Sequence, residues 1–481
     1  NRFTYSATSP FILKVNVKKI TECFMKTIRN DLFKFEGEVS SKEAFPLALQ
    51  HVIAMIAGCI SPPIILAAAA GLSPEDATIL VQMSLIGSAL TTFLIIYPIK
   101  KFGSRLPMIY GVSFAFVPTM IALAGQFKGL GGSEAIAIIF GAQIIGGLLT
   151  IAFGFLLKYI MPYFPPLVAG TVVLCIGLSL YPVAINYMGG GGDVSMPGWG
   201  AWQNWLIALV TLSINIGLTH FGKGLTKLSS VLIAMLCGYA LSLGFGMVDF
   251  TSVRNAAWFS LIRPLHFGIK FDFAAIISIV IIFIVTSIEA IGDMTSTTVG
   301  GMDRNPTERE LEGGIAGFGL ANIFGAFLGI LPTATFSQNA GIVSINKVVN
   351  KKVFTMAAFI IFVAGLFPKL SSLLTTIPFP VIGGATLSVF AAISMNGIRM
   401  ITSQPLSLRN TSIVGISVAL GFGFTTVVAS ADASGVYFLP EGLKIAIGAS
   451  PVVLAAISSV IMNIVIPETE EDRFVEEKIE V

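Results

Sequence analysis

Phe164-Pro165-Pro166-Leu167-Val168-Ala169-Gly170 resembles Pro378-Phe379-Pro380-Val381-Ile382-Gly383-Gly384, and each opens an apolar run long enough to cross a bilayer. The two runs are the fifth and the twelfth of about fourteen, seven spans apart. Seven is odd, so the copies run through the membrane in opposite directions. Such inverted repeats build many secondary transporters, whose sites lie near mid-membrane at broken helices.

Composition supports the membrane reading. Of 481 residues, 54% are hydrophobic and 11% charged, where a soluble domain carries about 25% charged; mean hydropathy is +0.86. Lipid offers the backbone no hydrogen-bond partner, so spans are helices or a closed barrel. The runs far exceed a barrel strand of about 10 residues, which predicts an all-α polytopic protein. The expected spans are 45–69, 77–99, a third beginning near 106, 135–160, 167–187, 202–218 and 230–248. The second set is 273–292, 313–331, 336–345, 353–367, 381–398, 413–428 and 443–464.

With the N-terminus inside, thirteen Lys and Arg fall in cytoplasmic loops and six outside, the sense of the positive-inside rule. Both termini are then cytoplasmic, including the acidic tail, and the protein sits in the plasma or inner membrane. The net charge of +3 gives no reason to expect a nucleic-acid partner. Cys23, Cys59, Cys175 and Cys237 have no motif spacing and read as buried small hydrophobes, with no metal or cofactor implied. The chain begins at Asn1 and not at Met, which suggests an incomplete N-terminus, and residues 1–43 are too Lys-rich and mixed for a cleavable signal.

The third and tenth spans are corresponding poor spans. The third reads Leu106-Pro107-Met108-Ile109-Tyr110-Gly111-Val112-Ser113-Phe114-Ala115-Phe116-Val117-Pro118, the tenth Leu331-Pro332-Thr333-Ala334-Thr335-Phe336-Ser337-Gln338-Asn339-Ala340-Gly341. Each starts with Pro, passes through β-branched and aromatic residues, and ends in a helix-compatible run. Extended backbone is tolerated in a bilayer only where protein buries it or it lines a cavity, so the pair marks a binding site.

Glu289 and Asp293 follow the apolar run 276–288 and are four apart, on one helix face. Either the helix ends at Ile288 and both sit among headgroups, or it continues and both face a cavity as substrate ligand and cation-coupling group. His51 is either a satisfied structural group or a partner for a carboxylate across the bundle. Gln338 and Asn339 either cap the tenth helix or recognise substrate with donors and acceptors. Carboxylates, amides and the aromatic planes of Phe114 and Phe336 suit a small, flat, neutral molecule rich in N–H and C=O.

These motifs resemble the nucleobase–ascorbate transporters, or nucleobase–cation symporters: Gln50-His51, Ser113-Phe114-Ala115-Phe116, Glu289-Ala290-Ile291-Gly292-Asp293 and Ser337-Gln338-Asn339-Ala340-Gly341. The resemblance runs from about 45 to 464. It implies a seven-plus-seven inverted topology with strands in spans three and ten. It implies a core at 44–160 and 251–370 and a dimerising gate at 161–250 and 371–466, flanked by a cytoplasmic segment 1–43 and tail 467–481. By position, Glu289 accepts N–H groups of the base and Gln338 pairs with its other polar edge. The backbone N–H groups of Phe114 and Ser337 bond its carbonyls. Asp293, His51 and Asn339 couple proton (or sodium) movement or hold the helices. Gln338 and Asp293 match the xanthine and uric acid permeases; uracil permeases carry Glu and His there. Phe318, Thr333 and Asn346 depart from the family pattern, a difference that bears on substrate and ion.

The expected function is proton-coupled uptake of a purine base such as xanthine or uric acid. A uracil permease is one alternative. An anion exchanger of the same fold, carrying sulfate or bicarbonate, is another; it would prefer a cationic group or bare helix N-termini at the site, and spans three, eight and ten hold no Lys or Arg. An intramembrane enzyme lacks any catalytic or nucleotide-binding motif. A non-transporting receptor would be separated by flux across proteoliposomes.

Overall fold

The computed structural model describes residues 31–160, 165–191, 194–433, 448 and 450–468. Most of the segment 1–43, most of the tail, Cys23, Phe164 at the head of the repeat motif and the expected start of the last span at Leu443 lie outside the described residues.

The first half begins with α1 (Ser41–Ala70) and α2 (Pro74–Ile96). Ser40 and Glu43 close a capping box at the head of α1, and Gly71 ends it in the left-handed region at φ 65°. The strand β1 (Tyr110–Val112), a 3₁₀ turn (Phe114–Phe116) and α3 (Val117–Gln126) form the broken third span. Then come α4 (Gly132–Phe155), α5 (Pro166–Met188), α6 (Trp202–Phe221) and α7 (Ser230–Gly244).

The second half repeats the order: α8 (Phe273–Met302), α9 (Glu308–Leu328), β2 (Thr333–Thr335), α10 (Ser337–Asn346) and α11 (Lys351–Gly365). A bend of 82° joins α11 to α12 (Pro368–Thr375), because Pro368 cannot continue the hydrogen-bond ladder. The chain ends with α13 (Phe379–Thr402), α14 (Leu408–Ala433) and α15 (Pro451–Val465). Among the described residues nine helices are by themselves long and apolar enough to span a membrane, and the bent pair makes a tenth. Three apolar helices are shorter, Phe114–Gln126, Ser230–Gly244 and Pro451–Val465.

Two differences from the expected spans matter. The eighth runs on to Met302 instead of stopping near 292, so Glu289 and Asp293 lie inside a continuous helix and not at its end. Thr295 and Thr298 satisfy their hydroxyls within this tail by donating them back to the Ile291 and Met294 carbonyls. Cys237 is exposed on α7, unlike buried Cys59 and Cys175.

The inverted repeat is visible in the contacts. β1 and β2 pair antiparallel, with Tyr110 opposite Thr335 and Val112 opposite Thr333. The ladder continues through Ser113 N–H to Pro332 C=O and Phe336 N–H to Ile109 C=O, both 3.0 Å. A shift of 223 residues (109 to 332, 113 to 336) carries one bond onto the other. Helices α5 and α13 cross closely at glycines. A Cβ on Gly170 would meet Gly397, Met400 and Ile401, while one on Gly383 would meet Ala184, Tyr187 and Met188. Here a shift of 213 residues (170 to 383, 184 to 397, 188 to 401) relates the two contact sets. α4 packs against α8 and α9, and α11 against α1 and α2. The crossing of α5 and α13 gathers α6, α14 and α15 around it.

Candidate functional site

The strand pair is buried in protein, as extended backbone in a bilayer must be. Its ladder bonds fall at Ser113–Pro332 and Ile109–Phe336, so Tyr110 and Thr333 occupy the alternate positions whose N–H and C=O point outward. One side chain answers each. Thr92 of α2 accepts from Tyr110 N–H at 3.0 Å and donates to Tyr110 C=O at 3.4 Å. Asn322 of α9 accepts from Thr333 N–H at 2.9 Å and donates to Thr333 C=O at 3.1 Å. Gln143 of α4 completes the brace, donating to the carbonyls of Asn322 and Ile330 at 2.9 and 3.1 Å. Sequence reasoning missed all three residues.

From this ladder two helices start back to back, at Phe114 and Ser337, related by the same 223-residue shift. The first N–H groups of a helix have no partner within it. The two starts therefore present backbone donors and the positive ends of two helix dipoles to the space between them.

Asp293 lies where α8 meets this junction. Its Oδ2 accepts from Thr335 Oγ1 at 2.5 Å and Ser337 Oγ at 3.0 Å. Glu289 sits one turn earlier, about 5.4 Å along the same helix face. It is half-buried, and among the described residues it has no hydrogen-bond partner. α8 also packs against the 3₁₀ turn at Phe114–Phe116, with Phe116 on Phe283 at 4.7 Å between ring centres. Glu289 thus lies along α8 between Phe283, which meets the first junction, and Asp293, which meets the second. Gln338, the second residue of α10, is exposed and has no hydrogen-bond partner among the described residues.

Asn339 points the other way. It is 1% exposed and donates to His51 Nδ1 at 3.0 Å and to His51 C=O at 3.2 Å. His51 is 2% exposed and stacks beside Phe354 at 4.7 Å. The imidazole thus pairs with an amide and ties α1 to α10. Phe336 is wedged between backbones: a Cβ on Gly58 or Gly111 would lie 2.5 or 2.1 Å from its ring. Phe114 reaches the α5–α13 bundle, edge-on to Phe390 at 5.3 Å.

The three departures also have places. Phe318 is fully buried in an aromatic cluster with Tyr110 and Phe283. Thr333 lies 3.2 Å from the Thr91 hydroxyl. Asn346 donates to Gln50 at 3.3 Å. Among the described residues no group of three or more His, Cys, Asp or Glu could hold a metal.

An inverted repeat, a mid-bundle strand pair and unpaired polar groups at two facing helix starts define a polytopic membrane transporter. The sequence pattern of the Permease family (Xan_ur_permease) matches residues 42–430, and the chain belongs to that family, the nucleobase–ascorbate transporters. It is 32% identical over 444 residues to xanthine permease XanQ of Escherichia coli, covering 91% of this chain and 94% of that one. It is 34% identical over 412 residues to uric acid permease PucK of Bacillus subtilis, covering 84% and 92%. These relatives are permeases and not enzymes. Among solved structures, the transmembrane domain of a cyanobacterial bicarbonate transporter, BicA, matches with TM-score 0.57 at 16% identity, covering 88% of this chain and 97% of that one. Murine Slc26a9, an anion transporter in its inward-facing state, matches with TM-score 0.59 at 13% identity, covering 96% and 73%. At such identities the likeness is one of fold.

Proposed function

We propose that this chain takes up a nucleobase of the purine class, such as xanthine or uric acid, by secondary active transport coupled to a cation, most simply a proton. The observation that carries this reading is Glu289: an unpartnered, half-buried carboxylate on the helix that packs against both helix starts, with the free amide of Gln338 on the neighbouring helix. A flat base fits that set. Its ring N–H groups would donate to Glu289, its other polar edge would meet Gln338, and its carbonyls would accept from the backbone at Phe114 and Ser337. The permease names of the relatives support the same class.

Two carboxylates one turn apart inside a membrane are costly together, which makes a proton a ready counter-charge for Glu289 and Asp293. Asp293 already serves two hydroxyls, so we assign it the coupling or architectural role and Glu289 the recognition role. His51 and Asn339 are assigned to architecture.

We further assign the core to 44–160 and 251–370, and the gate and a homodimer contact to 161–250 and 371–466, with both termini cytoplasmic. The packing of α4 with α8 and α9, and of α5 with α13, supports this division. The anion-carrier alternative gains fold likeness and the two helix starts, but the spans that carry the site hold no Lys or Arg.

Uptake of radiolabelled xanthine by cells carrying the wild type or Glu289→Gln tests the reading. Loss of uptake is expected; uptake unaffected by the change would sink the site assignment. In thermal melts, a base present at about 100 times its Kd should stabilise the wild type by about 2.7 kcal/mol. A shift with uracil and none with xanthine or urate would overturn the purine class.

A further inference from the structure

We propose that a cleft at one end of the helices, lined by no residue of the strand pair, binds the phosphate-bearing headgroup of an anionic phospholipid. The cleft encloses about 480 Å³ between the turn after α2, the start of α9 and the tip of α4. Five cations line it: Lys100, Lys101, Arg105, Arg304 and Arg309. Three carboxylates share the wall, Glu36, Glu310 and Glu312. Glu36 is committed to Arg105 at 2.7 Å and to Lys351. Glu310 is committed to Arg304 at 2.6 Å and to the Thr307 cap. Of the lining carboxylates only Glu312 is then uncommitted, against Lys100, Lys101 and Arg309, and among the described residues none of these three cations has an ion pair.

The backbone places these cations in advance. Lys100 and Lys101 form the tip of a two-residue hairpin closed by Ile99 N–H to Phe102 C=O at 2.9 Å and Phe102 N–H to Ile99 C=O at 3.0 Å. Lys100 holds φ at 59°, a left-handed conformation that Gly or Asn adopts with less strain. The hairpin is locked to α9, since Gly103 N–H donates to Gly313 C=O at 2.7 Å and a Cβ on Gly313 would lie 2.6 Å from the Gly103 carbonyl oxygen. Lys100 thus occupies a strained backbone position on the turn, a kind of position that clusters at functional sites.

The rim separates a lipid from a free anion. Ile99 and Phe155 are exposed at the cleft edge, and Leu148, Leu149, Leu156 and Tyr159 continue an apolar face along and beyond α4. Cations inside and an apolar strip outside match a headgroup with its acyl chains laid against α4. Basic pockets between helix ends bind anionic headgroups in this way; a free phosphate would make no use of the strip.

The test uses the full chain in detergent, titrated with dioleoylphosphatidylglycerol or dioleoylphosphatidylcholine, with bound lipid counted by native mass spectrometry. Phosphatidylglycerol should be retained at least about tenfold more strongly than phosphatidylcholine. Lys100→Gln/Lys101→Gln/Arg309→Gln should remove that preference, and the charge-keeping Lys100→Arg/Lys101→Arg/Arg309→Lys should retain it. Should the triple Gln variant melt differently without lipid, Arg309→Gln alone is read in its place. Equal retention of the two lipids, an unchanged preference in the Gln variant, or displacement by millimolar inorganic phosphate would each overturn the proposal.

Discussion

Replacing Asn322 by Ala removes the only side chain among the described residues that satisfies the outward backbone of β2. The side chain makes three bonds of 2.9 to 3.1 Å, to Thr333 N–H, Thr333 C=O and Phe318 C=O, and a longer one from Gln143 at 3.4 Å. Phe318 C=O keeps its helical partner. Thr333, which is 1% exposed, is left with an orphaned donor and an orphaned acceptor. Each orphan costs about 1–3 kcal/mol in a protein interior. Polar contacts inside membranes are usually worth less, about 0.6 and at most about 1.7 kcal/mol, because the unfolded chain finds other partners there. Taking the upper membrane value for each orphan gives a loss of about 3 kcal/mol. Equilibrium unfolding in mixed dodecylmaltoside and sodium dodecyl sulfate micelles, followed by circular dichroism, measures it directly. Thr92→Val leaves Tyr110 with the same two orphans, one of them from a longer bond of 3.4 Å, and should cost nearly as much. A loss below about 1 kcal/mol for Asn322→Ala would refute the idea that this one amide holds the strand.

Gly111→Ala would set a Cβ 2.1 Å from the Phe336 ring and 2.9 Å from Cys59 Sγ. Overpacking of this kind should cost about 1–3 kcal/mol in the same assay, and Phe336→Leu added to it should return part of the loss. Asp293→Ala should destabilise more than Asp293→Asn by about 1 kcal/mol, because the amide oxygen still accepts from Thr335 or Ser337; equal losses would deny the clamp. Lys351 first, then Arg105, hold the Glu36 carboxyl below its ordinary value of 4.5. A depressed carboxylate stabilises the fold above its unfolded pKa and loses that contribution as pH falls through the folded one. The gap in melting temperature between wild type and Glu36→Gln should therefore be full at pH 7 and close below about pH 4.5.

The fold was legible in the chain to the extent that local chemistry announced it. Pro107 and Pro332, followed by β-branched and aromatic residues, break two helices at equivalent places, and the strands form there. Glu289 and Asp293 stood out because charge is rare in an apolar run. Asn322 and Gln143 did not, because a neutral amide in a helix is ordinary until its partner is known. Those partners lie 11 residues from Asn322, and 179 and 187 residues from Gln143. The direction of His51 was illegible for the same reason. An imidazole can pair with a carboxylate or an amide, and only the packing of α1 against α10 selects Asn339. The expected end of α8 at 292 fell short because Gly292 and four Thr or Ser residues after it lower the apolar signal, while the hydroxyls of Thr295 and Thr298 are satisfied within the helix by bonding back to its carbonyls.

The scaffold is close to symmetric, but its chemistry is not, and the asymmetry gives the two helix starts different surroundings. Both are built on the same ladder, one shift of 223 residues apart. The start of α10 is clamped from two sides, by Asp293 of α8 through Thr335 and Ser337 and by His51 of α1 through Asn339. The start at Phe114 has a local cap instead, Ser113 Oγ accepting from Ala115 N–H at 3.2 Å. Beyond that it meets α8 through Phe116 on Phe283 and the other bundle through Phe114 on Phe390 of α13 and through the Thr119 hydroxyl 3.3 Å from Ser450. A ligand between the two starts would therefore rest on one wall tied firmly to α1 and α8 and on another in contact with the bundle around α5 and α13. Relative motion of the two bundles would alter the second wall first. Asp293 sits on the clamped wall, so such a motion would change the contacts at Phe114 and leave that clamp in place.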